Sequence, residues 1–153
     1  MPDTLSPRLA AILDALPLRP GLRVLEVGCG PGALARGLAG RIGTGFVLGI
    51  DRSAKAIDQA VAGSAEELAG GRLGFRRVAV EDFALLPGEA PFDLAIAVRV
   101  GALDGRHPDL AGPARRRLAA ALVPGGKLFI DGGDPLREIP LGTSGRVDAQ
   151  YTR

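Results

Sequence analysis

Val24-Leu25-Glu26-Val27-Gly28-Cys29-Gly30-Pro31-Gly32 is an apolar segment that runs into a glycine-rich turn, and Ala33 to Ala39 behind it reads as a helix. Val24, Leu25 and Val27 suit a buried parallel strand, while Gly28 and Gly30 let the backbone turn sharply and approach a ligand without Cβ interference. Strand, glycine turn and helix in this order make the first crossing of an α/β sheet. Such a turn lies at the carboxyl end of its strand, where open α/β sheets bind ligands.

Outward from this stretch the same alternation repeats. Upstream, Ser6-Pro7 starts a leading helix within residues 1–20, with Leu9, Ile12, Leu13 and Leu16 at helical spacing and an end near Pro17 to Gly21. Downstream, Phe46 to Asp51 is a second buried strand ending on a carboxylate, and Ser53 caps a helix from Ala54 to about Leu68, where Gly70-Gly71 stops it. Leu73 to about Val80 is a third strand and Phe92 to Val98 a fourth. A loop from Arg99 to Pro108 leads to a helix near Pro113 to Leu122, and Lys127 to Asp131 is a fifth strand. The pattern predicts a three-layer α/β fold with a parallel sheet, helices on both faces and right-handed crossovers. Leu136 to Leu141 and Arg146 to Tyr151 read either as a short hairpin through Gly142 to Gly145, with Pro140 confining the first strand to an edge, or as a loose tail.

At 153 residues the chain reads as a single domain, with residues 132–153 as a short C-terminal extension. Arginine supplies 17 of 19 basic residues against 17 acidic ones, so the net charge is only +2 and nucleic acid is not an expected partner. The one cysteine excludes an internal disulfide, has no zinc-like spacing and fits a reducing, cytoplasmic setting; no metal site is expected. No secretory signal is visible, and no apolar run approaches the roughly 20 residues needed to span a bilayer.

The glycine turn alone also satisfies a dinucleotide pattern with Ala33 in the third position. Charge separates the alternatives. A pyrophosphate wants backbone N–H groups and no nearby carboxylate, whereas S-adenosylmethionine brings an ammonium and a sulfonium that Glu26 favours. Glu26 also reads as a strand-end residue bonded to nearby backbone. Asp51, 23 residues after Gly28, stands where a carboxylate accepts from both ribose hydroxyls of either ligand. A helix-capping Asp is its plainer reading, although Ser53 already fills that role. Asp82 can accept from an adenine amino group or be a surface-loop acid, with Phe83 and Arg52 offering flat surfaces near a ring.

In order and spacing, Val24 to Gly32, Gly49-Ile50-Asp51, Glu81-Asp82-Phe83, Pro91 to Ala95 and Leu122 to Leu128 resemble the class I S-adenosylmethionine-dependent methyltransferases across residues 5 to 131. The resemblance implies a Rossmann-like sheet of strand order 3-2-1-4-5 with a short C-terminal antiparallel hairpin. It implies a cofactor site in which Gly28, Cys29, Gly30 and Gly32 pack on the methionyl part, Asp51 holds the ribose, and Asp82 with the Phe83 backbone reads adenine. The backbone after strand four, near Val98 and Arg99, would line the methyl-transfer side; the Arg99 side chain itself reads either as a partner for a substrate carboxylate or phosphate or as a surface or ion-paired arginine. Family members commonly continue past strand five with a further helix and strand pair, whereas 22 residues remain here.

Methyl transfer needs no universal catalytic residue, because placement and water exclusion do most of the work. For a hydroxyl acceptor the general-base candidates are His107, the only histidine, and Asp104, each of which also reads as an ordinary loop residue. The expected acceptor is a small molecule, and a lid would come from the N-terminal segment, the Arg99 to Pro108 loop or the second subunit of a homodimer. Two other readings stay open: an NAD(P)-binding oxidoreductase, against which Glu26 and Pro124-Gly125-Gly126 count, and a non-catalytic S-adenosylmethionine-binding module that acts through protein association.

Overall fold

The computed structural model of the chain describes residues 5–141. The first helix, α1 (Pro7–Ala15), opens with the Ser6 hydroxyl accepting from the Leu9 N–H at 3.2 Å, and Pro7 sits where its missing N–H is not needed. Next come β1 (Arg23–Val27), α2 (Ala33–Ala39), β2 (Phe46–Asp51), α3 (Ala54–Ala62), α4 (Ala65–Ala69) and β3 (Leu73–Arg77). After a 3-10 turn at Val80–Asp82 follow β4 (Phe92–Ala97), α5 (Gly101–Asp104), α6 (Pro108–Ala121), β5 (Leu122–Asp131) and β6 (Leu136–Ile139).

The sheet has the order β3-β2-β1-β4-β5-β6, parallel throughout except for β6 against β5. This is the expected Rossmann-like three-layer arrangement, with the antiparallel pair formed by β5 and β6. The second strand expected at Arg146 to Tyr151, with its connecting turn, lies outside the described residues. Among those described, no helix is long and apolar enough to cross a membrane.

Side-chain alternation along the strands builds two cores. Val24, Val47 and Leu94 face one side, where they meet Ile12, Leu13, Leu34 and Leu38 of α1 and α2. Leu25, Leu48 and Ala95 face the other, against Ala114 and Leu118 of α6. Glu26 shares the parity of Val24, so it points toward the α2 side of the sheet. That parity puts a carboxylate within reach of the first turn of α2, whose N–H groups lack partners in the helix itself.

Several boundaries differ from the sequence reading, among them the fifth strand: β5 begins at Leu122 rather than Lys127, so Pro124-Gly125-Gly126 lies within it, and its pairing with β4 shifts register between Phe92 and Leu94. The helix expected from Ala54 to Leu68 breaks at Gly63-Ser64, because buried Ser64 receives Arg36 Nη1 at 2.9 Å. The third strand stops at Arg77, and Val80 turns into the core. The loop after β4 contains α5, which Gly105 ends at φ +95°. The helix expected near Pro113 starts at Pro108 with His107 before it, and Pro113 lies inside it.

Candidate functional site

The strand order reverses at β1, where β2 leaves on one side and β4 on the other, and a cavity of about 270 Å³ opens there at the carboxyl ends of the strands. Gly28 lines it from the end of β1. Asp51, Arg52 and Glu81 line it from β2 and the segment after β3, and Arg99, Arg106 and His107 from the segment after β4.

The glycine turn is held by main chain. Gly28 has φ +68°, and a Cβ on it would lie 2.8 Å from Val100 Cγ2; one on Gly32, at φ +93°, would lie 3.2 Å from both Ala60 Cβ and Phe75 Cζ. Neither position admits a larger residue without movement. Cys29 N–H donates to the Ile50 carbonyl at 2.9 Å, tying the turn to β2. The Asp51 carboxylate then joins both sides of the opening, accepting from the Gly30 N–H on Oδ2 and the Ser53 N–H on Oδ1, each at 2.9 Å.

Glu26 lies beneath this turn, 3% exposed, and its Oε1 has no hydrogen-bond partner. Burial pushes its carboxyl up to about 8, and the Asp51 charge adds to the rise; a hydrogen bond from the Ala35 backbone and the charge of Arg36 pull the other way. The neighbouring Cys29 thiol is pushed up to about 12 by burial first and then by Glu26 and Asp51, so it is protonated at neutral pH and a poor nucleophile.

Asp82 is exposed and does not line the cavity, whereas Glu81 does. The Phe83 ring is 1% exposed and packs tilted against Phe92 at 6.5 Å, with Arg76 over it. It therefore offers no flat surface to a ligand, and only its backbone is left for that purpose.

On the other side, Arg99 has φ +58°, uncommon for a residue with a Cβ. Its N–H donates to Asp131 Oδ1 at 3.0 Å, and its carbonyl accepts from Arg106 Nη2 at 2.8 Å. Asp131 is itself ion-paired with Arg8 of α1. Arg106 also pairs with Asp104 at 2.9 Å, and that hydrogen bond holds the Asp104 carboxyl below its usual range. Asp104 stays outside the cavity wall, as does Val98, which packs with the core on the α1 and α2 side. His107 stands over Gly101, where a Cβ would fall 2.3 Å from its Cδ2.

Glu81, Arg106 and Asp131 were not among the residues the sequence singled out. Asp131 carried a signal all the same: like Asp51, it is the carboxylate that ends a buried parallel strand.

Residues 24–126 match the family model described as a methyltransferase domain. The nocamycin O-methyltransferase of Saccharothrix syringae is 38% identical over 135 residues, 86% of this chain and 46% of its own length. The trans-aconitate 2-methyltransferase of Paracidovorax citrulli (strain AAC00-1) is 36% identical over 139 residues, 91% of this chain and 49% of its own. A S-adenosylmethionine-dependent methyltransferase from Thiobacillus denitrificans, solved in complex with S-adenosylhomocysteine, superposes with TM-score 0.63 at 25% identity, covering 85% of this chain and 50% of that one. The chain thus spans about half, or less, of the length of the curated relatives it matches.

Proposed function

The chain belongs to the methyltransferase domain family, whose model covers residues 24–126, and on that premise we propose that it binds S-adenosylmethionine and transfers the methyl group to a small-molecule acceptor. The observation that carries this reading is Glu26: a buried carboxylate with an unpartnered oxygen beneath the glycine turn, next to Asp51. The Asp51 charge, joined by Glu26 once a neighbouring positive charge draws off the proton that burial keeps on it, favours a ligand with a positive end and opposes a pyrophosphate, which supports S-adenosylmethionine over a dinucleotide. The same residues fit the rest of the ligand. Asp51 keeps acceptor capacity beyond its two backbone bonds for ribose hydroxyls, and the open space beside Gly30 leaves the turn accessible to close approach.

When bound, S-adenosylmethionine supplies a methyl on a sulfonium, already a good leaving group. The chain's own part is then to orient the acceptor and exclude water. His107, on the cavity wall, is the group to accept a proton from a hydroxyl acceptor; Asp104 serves instead to hold Arg106. Glu81, rather than Asp82, is the acid to read an adenine amino group. The names of the two curated relatives above support a small-molecule acceptor, and that of the nocamycin O-methyltransferase supports O-methylation as the class of reaction. A cytoplasmic setting, supported by the single buried thiol of Cys29, and a homodimer complete the proposal.

Calorimetric titration with S-adenosylhomocysteine, alongside an NADH fluorescence titration, tests it. Saturable binding of the first and none of the second is expected. NADH binding with no S-adenosylhomocysteine binding would overturn the assignment in favour of an oxidoreductase.

A further inference from the structure

The charged residues on the cavity wall are unevenly divided. Both acids, Asp51 and Glu81, come from the β2 and β3 side together with Arg52, while residues 99–110 contribute Arg99, Arg106 and His107 and no carboxylate. Arg106 is neutralised by Asp104. Among the described residues the Arg99 guanidinium has no ion-pair or hydrogen-bond partner, and the nearest carboxylate in its network, Asp131, is taken up by Arg8 and by the Arg99 N–H. On the methyl-transfer side Arg99 is therefore a wall residue whose charge no carboxylate among the described residues neutralises.

The backbone beneath that cation is unusually constrained. Arg99 is the one non-glycine among the described residues with positive φ, and charged side chains grip its peptide groups on both sides: Asp131 at the N–H and Arg106 at the carbonyl. The grip reaches back to α1 through Arg8. A left-handed backbone disfavours any residue with a Cβ and persists only where its surroundings over-determine it, a situation concentrated at ligand clamps. The root of the side chain is fixed, and Arg99 is exposed, so its guanidinium is open to solvent and to a ligand entering the cavity.

We propose that the methyl acceptor carries a carboxylate and that the Arg99 guanidinium holds it at the cavity wall, an inference that rests on the methyl-transfer reading. A guanidinium presents a planar pair of N–H donors that matches the two oxygens of a carboxylate, and a neutral acceptor would leave this cation without a counter-charge. Held at the wall, the carboxylate also fixes the orientation of the acceptor's reacting oxygen relative to His107. Arg99 is in this sense a specificity-determining and positioning residue.

The test uses the full chain saturated with S-adenosylhomocysteine and a panel of small aliphatic and hydroxybenzoic acids, each paired with its methyl ester, with phosphomonoesters of similar size as a third arm. At least one acid should bind about tenfold or more tightly than its ester. Arg99→Met should abolish that preference, and Arg99→Lys should retain part of it. Met adds no backbone strain, since a Cβ is already present, so Arg99→Met should keep the wild-type melting temperature and S-adenosylhomocysteine affinity. Acids and esters binding alike, no acid binding at millimolar concentration, an acid preference that survives Arg99→Met, or an Arg99-dependent preference for phosphomonoesters would each overturn the proposal with cofactor binding intact. Loss of S-adenosylhomocysteine binding in the wild-type chain would instead overturn the methyl-transfer reading on which the inference stands.

Discussion

The two sides of the cavity position their groups by different means. On the β1 and β2 side the work is done mostly by main chain: a glycine turn crowded at Gly28 and Gly32, tied to β2 by the Cys29 N–H on the Ile50 carbonyl and by one carboxylate, that of Asp51. On the β4 side it is done by side chains, in a relay from Arg8 through Asp131 and the Arg99 peptide groups to Arg106 and Asp104. The first arrangement suits a ligand whose shape does not change; the second can be rewritten by exchanging single residues. A chain built this way keeps its cofactor while its acceptor varies.

The largest effect should come from closing the main-chain side. Gly28→Val puts a branched side chain at a positive φ and against Val100, and should cost about 2–4 kcal/mol of stability in urea unfolding and remove S-adenosylhomocysteine binding. Wild-type affinity in that variant would break the contrast between the two sides. Asp51→Ala comes next: it strips an ionised acceptor from the Gly30 and Ser53 N–H groups, and by calorimetry should weaken cofactor binding about 10- to 100-fold, whereas Arg99→Met leaves it unchanged.

Glu26 gives the pH signature of the first side. Its folded carboxyl titrates near 8 against an ordinary value of 4.5, so the folded chain holds a proton that the unfolded chain has released between those values. Stability from this group is therefore full below about pH 4.5 and declines as pH rises through about 8. Glu26→Gln should flatten that decline and, at pH 8 without ligand, be more stable than wild type by about 1–3 kcal/mol in denaturant titrations. The smallest effect belongs to the second side. Arg99→Gly relieves the left-handed backbone and should raise the melting temperature by a few degrees, corresponding to about 1 kcal/mol, while acceptor binding is lost. A fall in melting temperature would show that the Arg99 side chain supports the fold.

What could be read in the sequence follows the same division. The strand and glycine turn from Val24 to Gly32 and the strand ending on Asp51 were legible because they depend on local residue chemistry, namely apolar runs, glycine and a terminal carboxylate, while the sheet order came from the resemblance to the methyltransferase family. The segment after β4 was not. Pro113 looked like a helix start, yet His107-Pro108 begins that helix and Pro113 is carried within it. Ser64 looked like helix interior until Arg36, 28 residues away, drew its hydroxyl aside. Arg99 and Asp131 are 32 residues apart and Arg8 and Asp131 123 apart, distances over which a single sequence carries no pairing signal. Likewise Glu81 and Asp82 exchange places at the cavity because β3 ends at Arg77 and the chain turns at Val80, a backbone event that strand periodicity does not reveal.

On the proposed function, the main-chain side of this cavity holds S-adenosylmethionine whatever side chain stands at position 99. Calorimetric titration of S-adenosylhomocysteine into the full chain tests it most directly. Saturable binding of one molecule per chain is expected, weakened by Asp51→Ala and indifferent to Arg99→Met. No binding at millimolar ligand, or equal losses in the two variants, would contradict it.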